Sequence, residues 1–161
     1  VLEIGTADGN GIQAIDKHFN VKEIYGYELD ENLLHIAQKR LKKTPTTEIK
    51  SFLTIGDAAS ISFPDESFDA LFCYGVLHHI PNWQESIREM ARVAKPGAYF
   101  FIEEFYRALI TNMLVKLFIK HPQYDRFSHH ELVDVLKEEG FNIIYEGHFL
   151  NLSGKVIAQK V

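Results

Sequence analysis

Apolar residues follow two alternating patterns along this chain: short, nearly continuous runs and longer stretches with helical spacing. The short runs at residues 1–4, 23–28, 48–55, 68–74 and 98–103 predict five strands. Between them, three stretches place their apolar side chains on one face of a helix. Strands that alternate with helices in this way favour a mostly parallel sheet covered by helices on both faces.

The last third of the chain departs from this alternation. Ser128 and Glu131 have the spacing of a capping box, which predicts a helix that ends at Gly140. Residues 142–149 and 154–160 predict two strands joined by a short turn, which permits an antiparallel pair but not a parallel one. We therefore expect an antiparallel hairpin to close the parallel sheet.

Length and composition fit one domain over residues 1–161, because 161 residues with 46% hydrophobic content can form a single sizeable core. The chain has no initiating Met and its first residue already lies in a predicted strand, so we expect a native N-terminal segment to precede it. No apolar run approaches the roughly 20 residues that span a bilayer.

Charge and cysteine content bear on partners and location. A net charge of -5 argues against a nucleic-acid partner, because binding a phosphate backbone needs a surplus of Lys and Arg. The single cysteine, Cys73, cannot form an intramolecular disulfide, which fits a reducing compartment, and we expect the cytoplasm. No set of Cys, His, Asp and Glu has the spacing of a metal site, so we expect none.

A glycine-rich loop connects the first strand to the first helix. Gly5, Gly9 and Gly11, with the small Ala7 between them, allow a ligand to approach the backbone closely. Glu28 ends the second strand, where an acid can accept hydrogen bonds from both hydroxyls of a ribose. The loop and the acid together predict a site for an adenosine-bearing ligand, although a tight turn and a solvated strand end would leave the same pattern.

The same pair of features also fits a nicotinamide dinucleotide. The pyrophosphate fingerprint GxGxxG is absent, however, since Ala7 and Asn10 stand where its second and third glycines belong. Asp8 adds a negative charge there, which disfavours phosphate and is acceptable beside a cationic sulfonium. A nicotinamide-dependent oxidoreductase therefore remains as an alternative.

Several further segments occur in an order that resembles class I S-adenosylmethionine-dependent methyltransferases. Residues 3–9 resemble the first motif of that family, with Ala7 in place of its middle glycine, and residues 56–58 resemble its adenine-binding turn. Residues 63–69, 76–80 and 89–97 are similar to segments around strands four and five in its small-molecule members. The resemblance implies a Rossmann-like three-layer α/β sandwich whose seven-stranded, mostly parallel sheet has an antiparallel C-terminal strand.

The implied activity is methyl transfer from S-adenosylmethionine to an O, N or C nucleophile of a small molecule. Asp57 would bind the exocyclic amine of the adenine, and the backbone NH of Ala58 a ring nitrogen. Cys73 and Tyr74 end the fourth strand, where open α/β sheets receive ligands. The expected cofactor-binding residues are Glu3, Gly5, Thr6, Ala7, Gly9, Glu28, Leu29, Asp57, Ala58, Cys73 and Tyr74.

His78 and His79 are candidate general bases, because imidazole titrates near neutral pH. Alternatively, one packs in the turn and the other faces solvent. Glu103 and Glu104 end the fifth strand, where they are either solvated or available to a cationic or hydroxylated substrate.

Residues 105–127 carry apolar positions at helical spacing and predict an insertion that either covers the site as a substrate lid or packs on the sheet. Its apolar face favours a partly hydrophobic acceptor. A third hypothesis, a domain that binds the cofactor without catalysis, fits the same binding residues.

Overall fold

The computed structural model describes residues 1–44, 49–110 and 126–161. Its strands are β1 (Leu2–Ile4), β2 (Glu23–Glu28), β3 (Lys50–Ile55), β4 (Phe68–Tyr74), β5 (Ala94–Phe105), β6 (Phe141–Phe149) and β7 (Ser153–Lys160). Its α-helices are α1 (Asn10–His18), α2 (Glu31–Lys43), α3 (Trp83–Val93), α4 (Arg107–Ile110) and α5 (His129–Glu138), and a 3₁₀ turn, η1, covers Leu77–His79.

All seven strands belong to one sheet in the order β3-β2-β1-β4-β5-β7-β6. The first five pair in parallel, whereas β7 runs antiparallel to both β5 and β6. The expected C-terminal hairpin is confirmed. The hairpin does not simply extend the sheet, because its second strand lies between β5 and β6.

Each face of the sheet packs on a separate hydrophobic cluster, which gives three layers. On one face, Ile12 and Ile15 of α1 pack with Phe72 of β4. On the other face, residues of α3 and α5 share one cluster with the neighbouring β4 residues Leu71 and Cys73. Side chains along a strand point alternately to its two faces, so both clusters include residues of the same central strand.

The fifth strand begins earlier than the sequence predicted. The pattern placed a break at Pro96 and Gly97, yet β5 starts at Ala94, directly after α3. Ala94 pairs with Phe68, and the register then shifts before Tyr99. Gly97 has a φ of +82°, which a glycine adopts without strain, so the irregularity is absorbed within the strand.

Much of the expected lid, residues 105–127, lies outside the described residues. At its start, Phe105 ends β5 and α4 follows. At its end, Phe127 is buried against Trp83, with ring centroids 4.4 Å apart. The lid itself stays a prediction. Over residues 1–44, 49–110 and 126–161, no helix has both the length and the apolar character needed to cross a membrane.

Candidate cofactor site

A cavity of about 720 Å³ opens at the carboxyl ends of β1 to β4. Each strand contributes the residues that immediately follow it, because parallel strands bring their carboxyl ends to one edge of the sheet. The lining residues are Ile4, Gly5, Tyr27, Glu28, Leu29, Asp30, Gly56, Asp57, Ala58, Ala59, Val76, His79, Ile80, Pro81 and Asn82.

Glu28 connects two loops at the edge of this cavity. One carboxylate oxygen accepts the backbone NH of Ala7 at 2.8 Å, and the other accepts that of Asp30 at 3.0 Å. Glu28 is 9% exposed and lines the cavity. The acid at the end of β2 therefore holds the glycine-rich loop in place and also lines the cavity.

Both the backbone conformation and the surroundings at position 5 require a glycine. Its φ is +71°, a region that L side chains rarely adopt. A Cβ atom on Gly5 would lie 2.3 Å from a methyl carbon of Val76, which also lines the cavity. The absence of a side chain at Gly5 thus lets the loop after β1 pack against the turn after β4.

Glu3 lies in the core beneath the glycine-rich loop. Its exposure is 2%, and burial raises the pKa of its carboxyl group to about 8. Its Oε2 atom is buried without a hydrogen-bond partner in the described part of the chain. A Cβ atom on Gly11 would lie 1.7 Å from Glu3 Oε1, so Gly11 provides the space for this carboxyl group.

The remaining residues of the loop and of the turn after β3 divide between the cavity and the core. Asp57 and Ala58 line the cavity, and Asp57 accepts the backbone NH of Ala59 at 2.9 Å. Leu29 also lines the cavity and is 68% exposed. Thr6 is buried, and Gly9, the N-cap residue before α1, has a φ of +84°.

Cys73 and Tyr74 are not among the residues that line the cavity. Cys73 is fully buried in the core, and burial raises the pKa of its thiol. Tyr74 is half-buried and packs beside Phe72, and burial raises its pKa to about 12. Their contact with the cofactor stays a prediction, and the raised thiol pKa disfavours Cys73 as a nucleophile.

The two histidines occupy different environments. His79 is exposed and lines the cavity. His78 is 2% exposed, and its Nδ1 atom lies 2.7 Å from a carboxylate oxygen of Glu104. The two rings are nevertheless close, with centroids 4.1 Å apart. Only His79 is placed to reach a ligand in the cavity.

Glu104 is a structural residue that the sequence did not identify. It has no solvent exposure, whereas its neighbour Glu103 is exposed and lies 3.3 Å from Lys155 in an ion pair. One signal did exist, because Glu104 continues the alternation of the buried residues Phe100 and Ile102. The general tendency of acids to be solvated at a strand end favoured the other interpretation.

Comparison with known proteins agrees with this architecture. The model of a family described as a methyltransferase domain matches residues 2–102. Phosphoethanolamine N-methyltransferase 2 of Caenorhabditis elegans is 27% identical over 142 residues, which cover 88% of this chain and 32% of that protein. Demethylmenaquinone methyltransferase of Geobacillus kaustophilus is 26% identical over 142 residues, which cover 74% and 60% of the two chains.

Solved structures share the fold over nearly the whole chain. A SAM-dependent methyltransferase from Aquifex aeolicus superposes with a TM-score of 0.78 at 20% identity, covering 99% of this chain and 81% of that one. The [4+2]-cyclase SpnF superposes with a TM-score of 0.80 at 17% identity, covering 99% and 73%.

The chain belongs to the methyltransferase domain family, whose methyl donor is S-adenosylmethionine. It spans 32% and 60% of the length of the two relatives described above. The predicted Rossmann-like fold is confirmed.

Proposed function

We propose that this chain forms the catalytic domain of an enzyme that transfers a methyl group from S-adenosylmethionine to a small molecule. The observation that supports this most directly is the cavity, which brings Glu28 and Asp57 together although they follow different strands. One acid suits the hydroxyls of a ribose and the other the amine of an adenine. A cavity of about 720 Å³ is within the range of small-molecule sites.

The residues present fit this cofactor. Glu28 would bind the ribose and Asp57 the adenine amine, while the loop after β1 would carry the methionine part. Glu3 supports this placement, because its buried Oε2 atom lacks a hydrogen-bond partner among the described residues and its carboxyl group lies under the loop. The bound cofactor supplies a methyl group that its sulfonium has already activated, so the protein's main task is to align the acceptor.

His79 is the residue of this chain best placed to remove a proton from an acceptor. Its ring is exposed at the cavity, whereas the neighbouring His78 is held in the interior by Glu104. Imidazole accepts a proton readily near neutral pH. We assign His79 as the candidate base and His78 to the packing of the turn.

The acceptor is proposed to be partly hydrophobic. Phe105, Tyr145 and Phe149 line an open groove of about 380 Å³ at the same carboxyl edge of β5. All three rings are substantially exposed, and such apolar surface is often a binding surface. The net charge of -5 supports an acceptor other than nucleic acid, and the single free thiol supports a cytoplasmic location.

The two other hypotheses make different predictions. A nicotinamide-dependent oxidoreductase would bind NAD in the same cavity through Glu28. A domain that binds S-adenosylmethionine without methyl transfer would keep the whole site, and the structural similarity to a [4+2]-cyclase shows that this fold occurs in proteins named for other reactions.

Calorimetric titration with S-adenosylhomocysteine and with NAD tests the proposal. We expect S-adenosylhomocysteine to bind and Glu28→Ala to weaken it by at least about tenfold, because a charged hydrogen-bond acceptor is lost. Glu23→Ala, at the exposed opposite end of β2, is the control and should bind like wild type. Binding of NAD without binding of S-adenosylhomocysteine would refute the proposal.

A further inference from the structure

Glu104 accepts hydrogen bonds from four groups at once. Its Oε1 atom accepts the backbone NH groups of Val76 and Leu77, both at 2.7 Å. Its Oε2 atom accepts that of Phe105 at 3.2 Å and lies 2.7 Å from His78 Nδ1. Backbone NH groups can only donate, so both oxygens act as acceptors, and this arrangement favours an imidazole that donates from Nδ1.

The segment that Glu104 holds forms one wall of the cavity at the carboxyl ends of β1 to β4. Val76 and His79 line that cavity, and η1 lies between β4 and the lining residues beyond it. The rings of His78 and His79 lie against each other, with centroids 4.1 Å apart. A ring at position 78 that Glu104 fixes in the interior therefore supports the next ring, at position 79, where it lines the cavity.

The contacts explain why a carboxyl group stands at this position. Two adjacent backbone NH groups and an imidazole converge on one side chain, and a carboxylate offers acceptors to all of them. A glutamine has one acceptor oxygen for the backbone and an amide that would donate to His78 instead. An alanine would remove the acceptor of both backbone NH groups, and that of Leu77 is buried, so its loss is costly.

We infer that Glu104 is a positioning residue, which acts through His78 and the η1 turn to place His79 against the cofactor. The inference rests on the proposed function, in which the cavity binds S-adenosylmethionine. The two adjacent histidines therefore have different roles: His78 stabilises the turn, and His79 faces the cavity as the candidate base.

Glu104→Gln, Glu104→Ala and Glu103→Gln test this inference. Nitrogen NMR of the histidine rings reports whether Nδ1 of His78 carries a proton. We expect a protonated Nδ1 in wild type and in Glu103→Gln, and an unprotonated Nδ1 in Glu104→Gln, because the amide reverses the hydrogen bond. A residue that merely fills space would not change this signal.

Calorimetry with S-adenosylhomocysteine provides the second measurement. We expect Glu104→Ala to weaken binding on the order of tenfold, Glu104→Gln to weaken it less, and Glu103→Gln to bind like wild type. Chemical denaturation identifies variants that fail to fold. If Glu104→Ala does not fold, the more conservative Glu104→Gln still tests the inference.

An unchanged His78 signal in Glu104→Gln would overturn the inference, as would unaltered affinity in a folded Glu104→Ala protein. If wild type itself does not bind S-adenosylhomocysteine, the proposed function fails, and the histidine signal still decides whether Glu104 sets the state of His78.

Discussion

Three buried acids, Glu3, Glu28 and Glu104, lie near the carboxyl ends of β1, β2 and β5, and each has a different environment. Glu28 and Glu104 accept backbone NH groups, which compensate for the loss of water. Glu3 has a buried oxygen without such a partner among the described residues, and both burial and the charge of Glu28 raise its pKa. A neutral Glu3 carboxyl group limits repulsion among these acids.

Glu3→Gln should change how the free energy of unfolding depends on pH. The pKa of Glu3 rises from 4.5 to about 8 on folding, so the folded chain keeps a proton that the unfolded chain releases in this window. Wild-type stability should therefore fall as pH rises from 4.5 to about 8, by up to about 5 kcal/mol.

Urea unfolding of wild type and Glu3→Gln at pH 5.5 and pH 8 measures this effect, in the absence of cofactor. Glu3→Gln should lack the part of the decrease in unfolding free energy between pH 5.5 and pH 8 that comes from Glu3. Glu23→Gln, on the exposed end of β2, should keep it. Equal slopes in wild type and Glu3→Gln would mean that Glu3 ionises normally in the folded state.

At the scale of elements, α5 depends on its N-terminal cap. Ser128 accepts the backbone NH of Glu131, and the Glu131 carboxylate accepts that of Ser128. Leu132 and Leu136 then bury their side chains in the larger core cluster. The capping box predicted from the sequence is confirmed, since both hydrogen bonds depend only on residues three positions apart.

Ser128→Ala should destabilise the protein by about 1 kcal/mol, because the first turn of α5 loses a hydrogen-bond acceptor. Ser128→Asn should restore most of the loss, since asparagine is also a favourable cap. The midpoint of urea unfolding measures both variants. A Ser128→Asn protein as unstable as Ser128→Ala would show that the cap is not the cause.

Local patterns were sufficient to predict most elements. The bounds of β2 and β4 match those predicted because each is a short, mostly apolar run with clear ends. The position of β7 inside the sheet was not predicted, because the pattern shows a hairpin but not which of its strands pairs with β5. In the structure, the burial of Gly154 and Ala158 of β7 and the exposure of Ile144 of β6 accompany this strand order.

The sequence likewise predicts some residues of the candidate site and not others. Glu28 and Asp57 follow predicted strands and line the cavity, as expected from the parallel topology. The role of Glu104 could not be predicted, because its partners Val76, Leu77 and His78 are distant in sequence and follow another strand. The alternation of buried residues along β5 distinguishes Glu104 from the solvated Glu103, but it does not identify these partners.

For the whole molecule, His129 lies where α5, the C-terminal hairpin and the end of β5 meet. It is buried, with Nδ1 2.7 Å from the hydroxyl of Tyr106 and Nε2 3.4 Å from Glu146. Burial and the neighbouring His148 lower its pKa, whereas Glu146 acts in the opposite direction. The junction is therefore most stable when His129 is neutral.

Acidification should weaken the fold through His129. His129 takes up a proton near pH 6.5 in the unfolded chain but only at lower pH in the folded chain. The contribution of neutral His129 to the free energy of unfolding is therefore lost as pH falls below 6.5. We expect His129→Gln to reduce the loss of stability between pH 7.5 and pH 5.5, and His18→Gln, at the exposed end of α1, to leave it unchanged. Urea unfolding at both pH values checks this, and an equal loss in both variants would contradict it.

The position of β7 between β5 and β6 also has a consequence for biosynthesis. The growing chain completes β5 well before residues 153–160 leave the ribosome, so the edge of β5 has no partner during that interval. At about 5–20 residues per second the interval lasts some seconds, far longer than strand pairing requires. That edge includes Tyr99, Phe101 and Phe105, whose rings are partly exposed, and it is open to aggregation until the last strand inserts.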